Sequence, residues 1–184
     1  MAKAKHTIRI ISGTHRSRRL PVLDFEGLRP TGDRVRETAF NWLQFEIADK
    51  WVLDLCAGTG ALGFEAASRA AKKAVLVEKN AIVAKQLYAI EKEFQFINTQ
   101  IVTASAQHFL LNQNHKYDLI FIDPPFAMNL WSELLEIAVT IVNTEGFIYL
   151  ELPVDVVLPE LGENWQLYRQ KIFGKVKIEL WKKH

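Results

Sequence analysis

The sequence predicts an α/β protein: a mostly parallel, doubly wound, seven-stranded sheet with helices on both faces, preceded by a small β-hairpin. Three observations carry this reading. From residue 51 onwards, short apolar runs alternate with segments of helical period. Those runs lack the period-two polarity of a strand with one wet face, so helices should cover both sides of the sheet. After Pro159 the chain turns to polar–apolar alternation broken at Gly174, which reads as an antiparallel strand pair closing one sheet edge.

The elements follow in order. Residues 8–23 read as a hairpin, with Ile8, Ile10 and Ile11 before Ser12-Gly13-Thr14-His15 and Leu20-Pro21-Val22 after it. Gly27, Pro30 and Gly32 mark residues 24–32 as a connecting loop. Val35, Ala39, Trp42 and Leu43 recur at helical spacing, with Thr31 or Asp33 as the N-cap. Strands are then expected at Trp51–Cys56, Ala74–Glu78, Gln100–Thr103, Tyr117–Ile122 and Gly146–Leu150. Helices are expected at Ala61–Ala71, Asn80–Phe94, Ala106–Leu111 and Leu130–Val142. Strands Trp165–Phe173 and Lys175–Trp181 end the chain. The expected division is a basic hairpin extension over 1–28 and one sheet domain over 29–184.

At 184 residues the chain suits one domain of ordinary size. No apolar run approaches the roughly 18–20 residues of a membrane span, and the first residues lack the apolar core of a signal peptide. A single cysteine, Cys56, excludes an internal disulfide and points to a reducing cytoplasm. The five histidines are scattered, so no metal site is expected. Net charge is only +2 but uneven. Residues 1–36 hold nine Lys/Arg against three Asp/Glu, and residues 169–184 hold six against one. If the two ends meet in space they form one basic surface, suited to the phosphates of a nucleic acid.

Two segments carry chemistry. Asp123-Pro124-Pro125-Phe126 directly follows the apolar run Tyr117–Ile122, so an acid stands at a strand's C-terminal end with two prolines stiffening the backbone behind it. The carbonyls of Asp123 and Pro124 become rigid acceptors, and Phe126 adds a flat apolar face. That combination suits an exocyclic amino group on a planar base. The second segment, Asp54–Gly63, leaves the first strand of the sheet and enters a helix, with Gly58, Gly60 and Gly63 spaced as G-x-G-x-x-G. Alone, this spacing equally suits a dinucleotide. Asp54 argues against that, because a carboxylate at the strand end meets an ammonium well and a diphosphate badly. Glu78 ends the next strand, 18 residues after Gly60, where it can accept from both hydroxyls of a ribose. Ser105 and Ala106 follow the third strand, where an adenine ring would lie.

The glycine loop, Glu78 and Asp-Pro-Pro-Phe together resemble a Rossmann-like, S-adenosylmethionine-dependent methyltransferase of amino groups. Arg9-Ile10-Ile11-Ser12-Gly13 and the stretch Arg29-Pro30-Thr31-Gly32-Asp33-Arg34-Val35-Arg36-Glu37-Thr38 sharpen this to the RsmD family. These are bacterial methyltransferases of a guanine N2 in small-subunit ribosomal RNA. The resemblance runs from about Arg9 to the end, including Gly174-Lys175-Val176. It implies transfer to nucleotide 966 of 16S ribosomal RNA, within an assembled 30S particle, by a cytoplasmic monomer. It implies catalytic roles for Asp123, Pro124, Pro125 and Phe126. For the cofactor it implies Asp54, Ala57, Gly58, Gly60, Glu78, Lys79, Ser105, Ala106 and Thr31. The basic residues His15, Arg16, Arg18, Arg19, Arg34 and Arg36 are the candidates for RNA phosphates. Two departures are visible: the family often has Asp where Ser105 stands, and Phe-Ala where Cys56-Ala57 stand. Asp-Pro-Pro-Phe alone leaves open methylation of DNA adenine N6 or of a protein amide. A non-catalytic nucleotide-binding assembly protein is the remaining reading.

Overall fold

The computed structural model describes residues 6–22 and 32–184. Strands β1 (His6–Arg9) and β2 (Arg19–Val22) pair antiparallel as a separate two-stranded sheet. Helix α1 (Asp33–Trp42) follows. Next come β3 (Trp51–Asp54), α2 (Ala61–Ser68), β4 (Lys73–Glu78), α3 (Ala81–Phe94) and β5 (Thr99–Thr103). Then come α4 (Ala106–Leu111), β6 (Tyr117–Ile122), a 3₁₀ turn (Phe126–Met128), α5 (Trp131–Ala138) and β7 (Val142–Pro153). Strands β8 (Trp165–Phe173) and β9 (Val176–Lys183) close the chain. The large sheet runs β5-β4-β3-β6-β7-β9-β8, parallel from β3 to β7 and antiparallel at β9 and β8. From β3 the chain first steps outward to β4 and β5, then returns to the other side of β3 with β6 and β7. The order therefore reverses between β3 and β6, which opens a crevice at the C-terminal ends of those two strands.

Strand alternation sends side chains to two cores. Leu53, Val75, Ile120, Ile122, Ile148 and Leu150 pack with Leu110 of α4 and Leu134 and Leu135 of α5. Val52, Leu119, Phe121 and Tyr149 pack on the opposite face with Val35, Ala39 and Phe40 of α1 and Leu62 and Ala66 of α2. A third cluster seats Ile8, Ile10, Leu20 and Val22 of the hairpin on Phe64 and Ala67 of α2, Leu87 of α3, and Phe96. Each such side chain contributes about 1.5–3 kcal/mol on full burial.

The hairpin is tied down by polar groups as well. Glu65, fully buried in α2, accepts from the Ile11 N–H at 2.7 Å and the Ser12 N–H at 3.0 Å. The Arg69 guanidinium donates to it at 2.8 Å, and that of Arg36 lies 3.8 Å away. Gly13 adopts φ +84°, and a Cβ there would lie 1.8 Å from the Ser68 carbonyl oxygen. Only glycine lets the turn come this close, and the same carbonyl accepts from the Thr14 N–H at 2.8 Å.

Several boundaries differ from expectation. Helix α5 ends at Ala138, and Val142, expected in that helix, instead begins β7. Strand β7 is far longer than Gly146–Leu150 because it pairs with β6 on one side and β9 on the other. Strand β3 stops at Asp54, where the chain leaves the sheet for the glycine loop. Asp33 is the first residue of α1 and not its cap; Gly32 holds that place without a side-chain bond. Among the described residues only part of the basic head meets the tail: Val35 of α1, between Arg34 and Arg36, shares a core cluster with Ile178 and Leu180 of β9. The hairpin docks on α2 and α3, whereas the basic tail forms β8 and β9 at the edge of the sheet away from β4 and β5.

Candidate active site

The site is built where β3, β4 and β6 end. Asp54 closes β3 and is buried, with its Oδ2 accepting from the Gly63 N–H at 2.9 Å. Its Oδ1 is buried with no hydrogen-bond partner among the described residues. Burial pushes its carboxyl up to about 7; the Gly63 bond opposes this, and the charges of Asp123 and Glu78 add to it. These influences bring together three acids that lie far apart in the chain. Glu78 is braced on both oxygens: the Gly58 N–H donates at 2.9 Å and the Asn80 N–H at 2.8 Å. Asn80 in turn caps α3, its Oδ1 accepting from Ile82 and Val83. The loop itself is held by the Ala57 N–H donating to the Val77 carbonyl at 2.9 Å. Gly58 and Gly60 have φ of +51° and +76°, and a Cβ on Gly60 would lie 2.5 Å from the Phe64 ring. Cys56 is half-buried in this loop; desolvation, then Asp54, Asp123 and Glu78, push its thiol well above the ordinary range.

Across the crevice, Asp123 follows β6, Pro124 is buried and Pro125 exposed. Phe126 is half-buried, edge-on to the Trp131 ring with centroids 5.6 Å apart. Lys79 spans the opening, its Nζ donating to Met128 Sδ at 3.1 Å. Ser105 caps α4, its hydroxyl oxygen accepting from the His108 N–H at 3.2 Å, and Ala106 is buried beside it. Thr31 lies outside the described residues.

The basic candidates separate. Arg16, Arg18, Arg19 and Arg34 are exposed. Arg36 is not: it is 1% exposed, bonded to Asp33 at 3.0 Å and facing Glu65, so it braces the fold and cannot reach a phosphate. His15 stacks on Phe96 with centroids 3.9 Å apart, and its Nε2 lies 3.0 Å from the Phe94 carbonyl oxygen. Arg18 lies over the Phe94 ring. The hairpin turn thus rests on Ser68 and Phe94, the last residues of α2 and α3. These are the helix ends remote from the glycine loop.

Two residues beside the site were missed by sequence reasoning. Tyr149 is fully buried, and Glu151, two residues before the end of β7, is 7% exposed. A signal existed: Glu151 interrupts the otherwise apolar run Phe147–Leu152 on the strand next to Asp123.

The family described as "Conserved hypothetical protein 95" matches residues 8–182. "Ribosomal RNA small subunit methyltransferase D" of Escherichia coli K12 is 41% identical, over 100% of this chain and 96% of that protein. The protein of the same name from Haemophilus influenzae is also 41% identical, over 97% and 95%. The solved structure "Putative methyltransferase yhhF from Escherichia coli" superposes with a TM-score of 0.87 at 40% identity, covering 97% of this chain and 99% of that one. Matched along essentially its whole length, the chain belongs to the RsmD family, the S-adenosylmethionine-dependent methyltransferases of small-subunit ribosomal RNA.

Proposed function

We propose that the chain transfers a methyl group from S-adenosylmethionine to the exocyclic N2 of a guanine in small-subunit ribosomal RNA. The observation that carries this is the convergence of Asp54, Glu78 and Asp123 on one crevice at the strand-order reversal. The residues fit the cofactor. Asp54 offers a buried carboxylate oxygen to an ammonium, Glu78 a braced carboxylate to ribose hydroxyls, and Gly58 and Gly60 a backbone that a ligand can approach. Ala57 and Lys79 flank those groups. Ser105 and Ala106 border the place for the adenine, with Ser105 using its oxygen as a helix cap.

S-adenosylmethionine, when bound, supplies an electrophilic methyl group. The chain's own part is to present the amine. A guanine amino group is a poor nucleophile because its lone pair is delocalised into the ring. Accepting its two N–H bonds at the Asp123 carboxylate and the Pro124 carbonyl turns that pair out of conjugation. Both bonds tighten as nitrogen gains positive charge, so they favour the transition state over the ground state. Holding the base in place supplies a further large share. The Asp123 carboxylate is then placed to take the proton that nitrogen sheds. Phe126 offers a stacking face, worth about 1–3 kcal/mol per base. An unpaired loop nucleotide enters such a pocket at least cost.

Arg16, Arg18, Arg19 and Arg34 are the proposed phosphate contacts. Each is expected to steepen the salt dependence of RNA binding by about 0.7–0.9. The hairpin turn lies one helix length, about 12 Å, from the glycine loop, so a folded RNA can engage both, and an assembled 30S subunit is the proposed form of it. A monomer acting in the cytoplasm completes the proposal; no described helix is long and apolar enough to cross a membrane.

Mass-spectrometric mapping of ribosomal RNA with and without the protein tests the reaction. One new N2-methylguanine is expected, at nucleotide 966. Label appearing instead in duplex DNA or in protein would favour the other amino methyltransferases, and failure to bind the cofactor would favour an assembly protein. Replacing Glu78 with Ala is expected to weaken cofactor affinity at least tenfold by calorimetry, since the carboxylate also orders Gly58 and Asn80; unchanged affinity refutes the ribose role. Asp54 makes that affinity depend on pH. Below about pH 7 its carboxyl is protonated in the free protein and must ionise to hold a cation. The dissociation constant is therefore expected to rise about tenfold per pH unit on going acid of 7, and to level off above it. A flat profile from pH 5.5 to 8.5 would remove Asp54 from the ammonium site.

A further inference from the structure

Glu151 is a nearly buried carboxylate that the reaction as described does not use. Strands β6 and β7 run parallel, with Ile122 paired to Leu150 as the last rung. Asp123 and Glu151 each come one residue later, Asp123 just past the end of β6 and Glu151 still within β7, so the two acids stand on neighbouring strands at the same level. They also share a face. Phe121 and Tyr149 point into the core under α1, while Ile122 and Leu150 point the other way. Alternation therefore carries Asp123 and Glu151 to the α1 side. The Tyr149 hydroxyl confirms the grouping: it donates to Glu151 Oε2 at 3.5 Å, and its own ionisation is pushed up by burial and by the charges of Glu151 and Asp123. The backbone of Glu151 is fixed from the opposite face, where Trp131 Nε1 donates to its carbonyl at 2.8 Å. A rigidly mounted acceptor thus stands beside the group that holds the target amine.

The edge of guanine next to its amino group presents the N1–H as a donor. Adenine-like bases present a lone pair at the same ring position. We propose that Glu151 selects guanine by accepting the N1–H of the target base while Asp123 and Pro124 hold its amino group, an assignment that rests on the guanine-N2 reading above. A carboxylate meeting an N1 lone pair leaves two acceptors facing each other. Such a mismatch in a buried site rejects the wrong base strongly.

Target RNA carrying either guanine or 2,6-diaminopurine at the methylated position separates the cases, because both have the amino group and only guanine has the N1–H. The wild type is expected to favour guanine in kcat/KM. Glu151→Gln is expected to lower that preference roughly tenfold or more, since its amide can donate to the N1 lone pair. Cofactor affinity and melting temperature serve as controls on folding. N2-methylguanine formation with an unchanged preference in Glu151→Gln overturns the assignment alone; absence of N2-methylguanine from the wild-type reaction overturns the guanine reading with it. If Glu151→Gln melts early, wild-type enzyme on RNA with N1-methylguanine at the target decides the matter. Transfer is then expected to be abolished, and undiminished transfer sinks the role of Glu151.

Discussion

Asp123→Ala is expected to lower methyl transfer about 10²–10³-fold in kcat while leaving cofactor affinity unchanged. The size follows from what the side chain does. In the proposed reaction it accepts an N–H from an amine whose charge changes, so its loss should be felt more in the transition state than in binding. The acid follows β6, across the crevice from the glycine loop, and in the proposed binding mode Glu78 and Asp54 meet the cofactor without it. Asp123→Asn separates charge from hydrogen bonding: it keeps an acceptor oxygen, loses the charge, and should fall between the two. Single-turnover transfer measured beside cofactor calorimetry checks both variants. Wild-type transfer by Asp123→Ala would take this residue out of the chemistry; a parallel loss of cofactor affinity would reassign it to binding.

Glu65→Ala is expected to cost about 3–5 kcal/mol of unfolding free energy, the largest stability effect of any single change considered for this chain. The carboxylate is fully buried and serves two backbone N–H groups of the hairpin and two arginines. Its removal leaves the Arg36 guanidinium, 1% exposed, with Asp33 as its remaining acid among the described residues. It also leaves the Ile11 and Ser12 N–H groups without acceptors. Against a typical total of about 5–15 kcal/mol, such a loss brings the protein near the edge of folding. Urea unfolding measures it. A loss under about 1 kcal/mol would mean that water reaches Arg36 and that the anchor is dispensable.

Much of the fold was legible because periodicity reports burial. The parallel strands read correctly from their unbroken apolar runs, and α4 and β6 matched to the residue. The errors fell where long-range pairing overrides local pattern. Val142 looks helical beside Leu134, Leu135 and Ala138, but its pairing with Tyr117 of β6 starts the strand there. The convergence of three acids was legible in the motifs, since Asp54 and Glu78 end strands and Asp123 follows one, and the sheet must bring those ends together. Charge was less legible. Arg36 and His15 look like their exposed neighbours in the sequence, and only packing against Glu65 and Phe96 separates them. Glu65 itself sits in a small-residue helix without any periodic cue, because α2 is buried on every side.

Cys56 gives the glycine loop one last property. Thiolates are among the strongest methyl acceptors in biochemistry, and an enzyme that stores a methylating reagent beside a sulfur risks inactivating itself. Here burial, and after it the charges of Asp54, Asp123 and Glu78, hold the thiol well above its ordinary range, so a reagent bound as proposed would meet an S–H and not a thiolate.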